Sequence, residues 1–181
     1  MDRRAFLRDG VAVAGLAVAG CSDDAPTGTL ATYVGDRPGA IGDFTACVVS
    51  LSELRVLPAD ETTGTEEHAG SELVFKLDDV AVNLVELAGS AAILAREQEL
   101  ATGEYAYLKL GVSSVEATLS GGEAAMVSTP DDAALKFDRS FEIRADERTR
   151  FTAEFAPVPH EGRGRYVLAP TMRGTTVTYK G

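Results

Sequence analysis

Apolar and polar residues alternate along most of this chain with a period of two, the mark of strands with one buried face. The cleanest case is Thr149, Phe151, Ala153 and Phe155, interleaved with Arg148, Arg150, Thr152 and Glu154. Leu30, Thr32 and Val34 alternate with Ala31 and Tyr33, and Leu73, Phe75 and Leu77 repeat the pattern. Ala106, Leu108, Leu110 and Val112 share a face, and Val115, Ala117 and Leu119 follow after Ser113-Ser114. Cys47, Val49 and Leu51 alternate before Leu54 and Val56 continue one step out of phase. One extra residue near Ser52-Glu53 explains that slip as a β-bulge. Residues 80–87 are almost wholly apolar and read as a central strand. Shorter strands are expected at 123–127, 135–137, 141–143, 166–172 and 175–179, and a helix only at 90–100, a length marginal unless packed. Short strands between Gly, Pro and Asp turns predict an all-β fold, an antiparallel β-sandwich of about seven to nine strands, immunoglobulin-like or prealbumin-like.

The first 21 residues break this pattern. Arg3-Arg4 open the run Arg3-Arg4-Ala5-Phe6-Leu7, an apolar stretch follows to Ala19, and Val18-Ala19-Gly20-Cys21 ends it. A basic head, a short apolar body and a small-residue cleavage site make an export signal. The arginine pair resembles a twin-arginine signal, and the last four residues resemble a lipobox, in which Cys21 is lipidated and becomes the mature N-terminus. The apolar run falls far short of the roughly 20 residues that span a bilayer. Ala17-Val18-Ala19 is also a cleavage pattern, so cleavage before Gly20, leaving Cys21 a plain thiol, stays open. The expected organisation is an export signal at 1–20, a tether at 21–27 and one β-sandwich domain at 28–181, exported and held at the cell surface by lipid. A single lipid chain binds membranes reversibly, and firm anchoring takes two.

Charge narrows the partners. The chain has 17 Lys and Arg against 28 Asp and Glu, a net charge of −11. Removing residues 1–20 takes three of the former (Arg3, Arg4, Arg8) and two of the latter (Asp2, Asp9), so the mature chain carries −12. Its four lysines are Lys76, Lys109, Lys136 and Lys180. An acid-rich, lysine-poor surface suits very salty water, which points to a halophilic archaeon; the alternative is simply an acidic surface protein. Nucleic acid is excluded as a partner, because phosphate binding needs clustered cations. Anionic lipid headgroups are excluded as an electrostatic partner on the same ground. Cys47 sits in an apolar run as a small hydrophobe, with no framework of cysteines around it.

Candidate chemistry is sparse. His68 and His160 lie in the long loops 58–70 and 157–165, and neither has a sequence cue to a nucleophile; no Gly-x-Ser-x-Gly elbow occurs. No zinc motif is present. The acid pairs Glu66-Glu67, Asp78-Asp79 and Asp131-Asp132 lack calcium-loop spacing. No catalytic residue, metal site or cofactor is therefore assigned. Tyr105 and Tyr107 share strand parity with Lys109, opposite Leu108 and Leu110. They are the candidate ligand-binding pair if both lie on an outer face, where they would stack on a sugar or touch a protein; the alternative is that Tyr105 tucks over the sheet edge and Tyr107 is a lone exposed aromatic.

Several short segments, in order, resemble the domain of unknown function 4382 family: Gly28-Thr29-Leu30 with Asp36-Arg37-Pro38, Val82-Asn83-Leu84-Val85-Glu86-Leu87, Thr102-Gly103-Glu104-Tyr105, and Tyr166-Val167-Leu168-Ala169-Pro170. Ala101-Thr102-Gly103 departs from the usual Pro-Ala-Gly of the family. The resemblance implies a surface lipoprotein of archaea or bacteria built as a β-sandwich, and it supplies no catalytic residue. Physically, Asp36-Arg37-Pro38 is a turn device, and Gly103 is expected at positive φ where the chain enters its strand. The function expected is binding or a structural role in the cell envelope, with a glycan or protein as partner. The alternative is a hydrolase or calcium-dependent surface enzyme, which a cleft with converging polar groups would favour.

The charge yields a test. Repulsion among the acids is felt over about 30 Å at 0.01 M salt and about 3 Å at 1 M. The melting temperature is expected to rise as KCl goes from low to molar levels; a flat or falling trend in a thermal melt would rule out salt adaptation.

Overall fold

The alternation at 148–155 forms the strand on which the fold branches. In the structure, a computed structural model, residues 25–36, 39–60, 72–89, 92–130, 133–171 and 173–181 are described. Strand β1 (Thr27–Asp36) leads through a 3-10 turn (Ala40–Asp43) into β2 (Phe44–Pro58). Then come β3 (Leu73–Asn83), the one-turn helix α1 (Leu84–Leu87), β4 (Ile93–Ala101) and the long β5 (Gly103–Leu119). Short strands β6 (Met126–Ser128), β7 (Ala134–Phe137) and β8 (Phe141–Ile143) precede β9 (Arg148–Pro159), β10 (Arg165–Pro170) and β11 (Thr176–Lys180).

These strands make the two layers of an all-β sandwich. One sheet runs β4-β1-β9-β10-β6 with β11 also on β9; the other runs β3-β2-β5-β7 with β8 also on β5. A single core lies between them, and its centre is aromatic. Phe151 of β9 meets Phe141 of β8 edge-on at 5.3 Å and Phe137 of β7 edge-on at 6.3 Å. Edge-to-face contacts of this kind add to the area that the rings bury. Cys47 is buried near Val49 and Leu51, and its N–H donates to Asn83 Oδ1 at 3.2 Å. Thr149 is buried too, its hydroxyl donating to the carbonyl of Glu142 at 2.8 Å.

Two expectations about phase are met. β2 slips register between Leu51 and Glu53, where the bulge was expected. Gly103 takes φ +146° at the start of β5. Gly28 does something the sequence did not suggest: a Cβ there would lie 2.1 Å from the carbonyl oxygen of Arg144, so two backbones touch.

Four expectations are corrected. Residues 93–101 form strand β4, not a helix, because β1 supplies a hydrogen-bonded partner along their length. Their helix-like look comes from Arg, Glu and Gln on an edge strand in which only Leu100 is buried. Residues 80–87 are not a central strand: they finish β3, an edge strand, and then turn into α1, which Asn83 caps by accepting from the Val85 N–H. The sandwich is not wholly antiparallel, since β1 runs parallel to β9 and β6 parallel to β10. Eleven strands are described rather than seven to nine, because the short segments β6, β7 and β8 each pair as separate strands at the margins of the sheets and residues 93–101 add β4.

Phe151 is fully buried between both sheets. Phe151→Ala is expected to cost about 3–5 kcal/mol, whereas Thr178→Ala on exposed β11 should stay within about 0.5 kcal/mol. Urea unfolding of the two variants checks this, and similar midpoints would place Phe151 outside the structural centre.

Candidate functional site

The strand directions divide the sandwich into a near end and a far end. β1 and β9 run in parallel from the near end, where Thr27 pairs with Ala101 and Lys180 with Arg148. They finish at the far end, where Asp36 lies beside Phe155 and β9 continues to Pro159. The 3-10 turn, the start of β2, the end of β5 and the start of β10 gather there, joined by the Ser120 N–H to Asp43 bond at 2.8 Å.

At this far end a cavity of about 470 Å³ is lined by Val115, Ala125, Met126, Val127, Ser128, His160, Arg165 and Tyr166. Tyr166 forms its wall. The ring meets Phe44 edge-on at 4.6 Å, and its hydroxyl donates to Asp43 Oδ2 at 3.1 Å. Burial, then the hydrogen bond to Asp43, hold that phenol above its usual pKa. The Ser128 hydroxyl donates to the Tyr166 carbonyl at 3.2 Å. The loop from His160 to Arg165 is closed by the His160 N–H donating to the Arg165 carbonyl at 2.9 Å, and Met126 N–H donates to Gly164 at 3.0 Å. This fold-back sets Arg165 and His160 at the mouth, beside a Met126 that is 69% exposed. A smaller cavity of about 290 Å³ shares Val115, Val127 and Ser128 with the first and adds Val112, Ser113, Ser114, Thr129 and Ala133. Together they form one groove with an apolar floor, hydroxyl-bearing sides and the Arg165 guanidinium at one end.

The two candidate tyrosines separate. Tyr105 does not lie on the outer face: it is 3% exposed, stacks on Phe141 at 5.3 Å and donates to the Ala101 carbonyl at 3.0 Å. Burial, then the charge of Asp60, raise its phenol pKa. The reason is a register shift. Leu57 faces Tyr107 but Pro58 faces Tyr105, so Ala106 is an extra residue and the parity flips. Tyr105 instead borders a near-end cavity of about 430 Å³ with Pro58, Asp60 and residues 101–104.

Tyr107 keeps the outer face, where internal partners hold it. Its hydroxyl donates to Glu72, and the ammonium groups of Lys136 and Lys109 lie 4.5 and 5.1 Å from its ring centre. Glu72, its side chain only 9% exposed, also takes Lys109 Nζ at 2.6 Å and Arg55 at 3.6 Å. Burial pulls the Glu72 carboxyl pKa up, but the hydrogen bonds from Lys109 and Tyr107 and the charges of Lys109 and Arg55 outweigh it, so the net displacement is downward. Burial and the bond to Glu72 push Tyr107 well up.

Of the other sequence candidates, His160 is exposed on its loop. Arg3, Arg4, Cys21, His68, Glu66-Glu67, Asp131-Asp132 and Arg37-Pro38 lie outside the described residues, as do the side chains of Asp36 and Asp79. Among the described residues no three His, Cys, Asp or Glu side chains gather as a metal group. Sequence reasoning missed Glu72, Met126 and Arg165. A signal for the last did exist: Arg163 and Arg165 stand two apart in a chain of net charge −11.

Residues 27–170 match the family described as a domain of unknown function (DUF4382), and the chain belongs to that family. The match runs from the first residue of β1 to the last of β10. A search of curated proteins finds no match.

Glu72→Gln is expected to cost about 1–3 kcal/mol at pH 7, because Lys109 and Arg55 lose their carboxylate. The folded pKa lies below the ordinary value, so this contribution is complete above the unfolded pKa, near 4.5, and is lost as pH falls through the folded value. The stability gap between wild type and variant should therefore close in acid. Unfolding curves from pH 7 to pH 3 test it; a gap constant with pH would show that Glu72 acts by shape alone.

Proposed function

We propose that this protein is exported, anchored at the cell surface through a lipid on Cys21, and works by binding through the end of the sandwich farthest from that anchor. The supporting observation is directional. Only five residues separate Cys21 from Thr27, where β1 begins. That spacer spans about 20 Å even when extended. β1 then runs away from it for ten residues, about 33 Å of strand. A domain tethered this way turns its near end to the membrane and its far end, with the Met126–Arg165 groove, to the medium. The groove fits a binding role: it combines exposed apolar surface with a guanidinium, that of Arg165, that can fix a ligand's orientation.

The anchor is tested first. Cys21→Ser is expected to release the protein to the medium or to trap its precursor. A variant that still fractionates with membranes at the mature mass would defeat the lipid assignment. Changing Arg3 and Arg4 together to Lys should block export, while normal export of that variant would defeat the twin-arginine route.

A further inference from the structure

The groove is bordered by two strand edges that lack strand partners among the described residues. On the side away from β2, β5 pairs with β8 at residues 103–105, with β7 at 108–111, and with Ala124 at Thr118. Between them, residues 112–116 meet no strand on that side among the described residues. The facing edge is β6, which among the described residues ends its sheet and pairs with β10 alone. Met126 N–H is spent on Gly164, so in a parallel ladder the N–H and carbonyl of the next residue, Val127, point to the open side. The cause lies just upstream. Ala125 N–H still bonds the Ala117 carbonyl at 3.0 Å, after which the chain leaves β5 and crosses to β10. The crossing opens a slot between two strand edges, and Val115 and Val127 line both of its cavities.

We propose that this slot is a strand-addition site for an extended peptide of alternating apolar residues with a carboxylate at one end. The peptide backbone bonds the open edge of β5, its apolar side chains lie on Val115, Val127 and Met126, and its carboxylate meets Arg165. Unpaired strand edges recruit strands, and alternate side chains then give selectivity. The charge argues for a carboxylate. The segment His160-Glu161-Gly162-Arg163-Gly164-Arg165 carries two arginines against one acid in a chain of net −11, and among the described residues Arg165 makes no ion pair. The lining argues against a glycan, since saturated side chains rather than an open aromatic face form the floor.

This rests on the reading of the far end as the binding end, and not on export. The test is a selection of random displayed heptapeptides on the immobilised full chain in detergent, with an acidic oligosaccharide (oligoalginate) as the comparison probe. Enriched peptides are expected to alternate apolar residues, to carry Asp, Glu or a free C-terminus, and to shift the amide signals of residues 112–116 and Val127. Arg165→Gln, whose fold is checked by its melting temperature, should weaken them at least about fivefold, the effect of about 1 kcal/mol. Peptides that bind Arg165→Gln equally well, or that shift amides elsewhere, overturn the proposal. Oligoalginate shifting those amides while peptides do not also overturns it, and leaves the far-end reading standing as a glycan site. Failure of both probes overturns the two together.

Discussion

Phe151 holds the two sheets in one structure. It belongs to β9, the strand that pairs with β1, β10 and β11, and its ring reaches across to Phe137 and Phe141 of the opposite sheet. Buried aromatic surface is the largest single contribution a residue makes to such a core. Its placement also fixes geometry. With Phe151 pointing inward, the period of two puts Thr149, Ala153 and Phe155 inward and sends Arg148, Arg150 and Glu154 out. Arg150 then lies 3.8 Å over the Tyr33 ring, and Arg148 reaches Glu97 and the Tyr33 hydroxyl. The parallel register of β1 and β9 thus has an aromatic contact on its inner side and a cation layer on its outer side. Among the described residues, one buried side-chain group carries no hydrogen-bond partner, the Thr32 hydroxyl. It sits beside Phe151 in that register, where an apolar side chain would serve.

That register also decides which surface is available for function. Because β1 and β9 are parallel, the β9–β10 hairpin turns at the end of the sandwich opposite the start of β1. Had they been antiparallel, the His160–Arg165 loop would lie beside the start of β1. The groove follows from a second constraint, chain economy around β6. A chain that leaves one sheet and joins the other within Ala124, Ala125 and Met126 cannot satisfy both edges, and the unsatisfied stretch faces the gap.

Local alternation carried the sandwich, the strong strands and the bulge at Ser52-Glu53, because burial on one face writes itself into every second residue. It failed where pairing rather than burial decides. β4 buries only Leu100, so its residues show helix-forming composition and no period, although β1 holds them as a strand. Tyr105 failed for a related reason. The extra residue at Ala106 is visible only against β2, since a register shift is a relation between two strands and leaves no mark in one. Gly28 carries no local cue, yet a glycine is required there by the carbonyl of Arg144, more than a hundred residues away. The candidate site was less legible still. His160 was placed on a loop correctly, but an unpaired edge at 112–116 is a missing neighbour, and no residue type encodes one.

The acid-rich surface sets two demands that differ in range, which lets one protein meet both. Repulsion among the excess acids acts across the whole domain, over distances that salt screens efficiently: the Debye length falls from about 10 Å at 0.1 M to about 3 Å at 1 M. A carboxylate against Arg165 would sit at hydrogen-bonding distance, about 2.7–2.9 Å, inside that length even at 1 M. Salt therefore removes the long-range cost of folding an acidic chain while sparing a short, directional contact at the far end. Long-range attraction of an anionic partner to such a chain is weak at any salt, because the net field is negative. Selectivity at the groove must then come from what touches it: backbone edges, the apolar floor and one guanidinium. A binding site on an acidic protein is best made of short-range contacts, and Arg165, Met126, Val127 and Val115 lie together at the end opposite the start of β1.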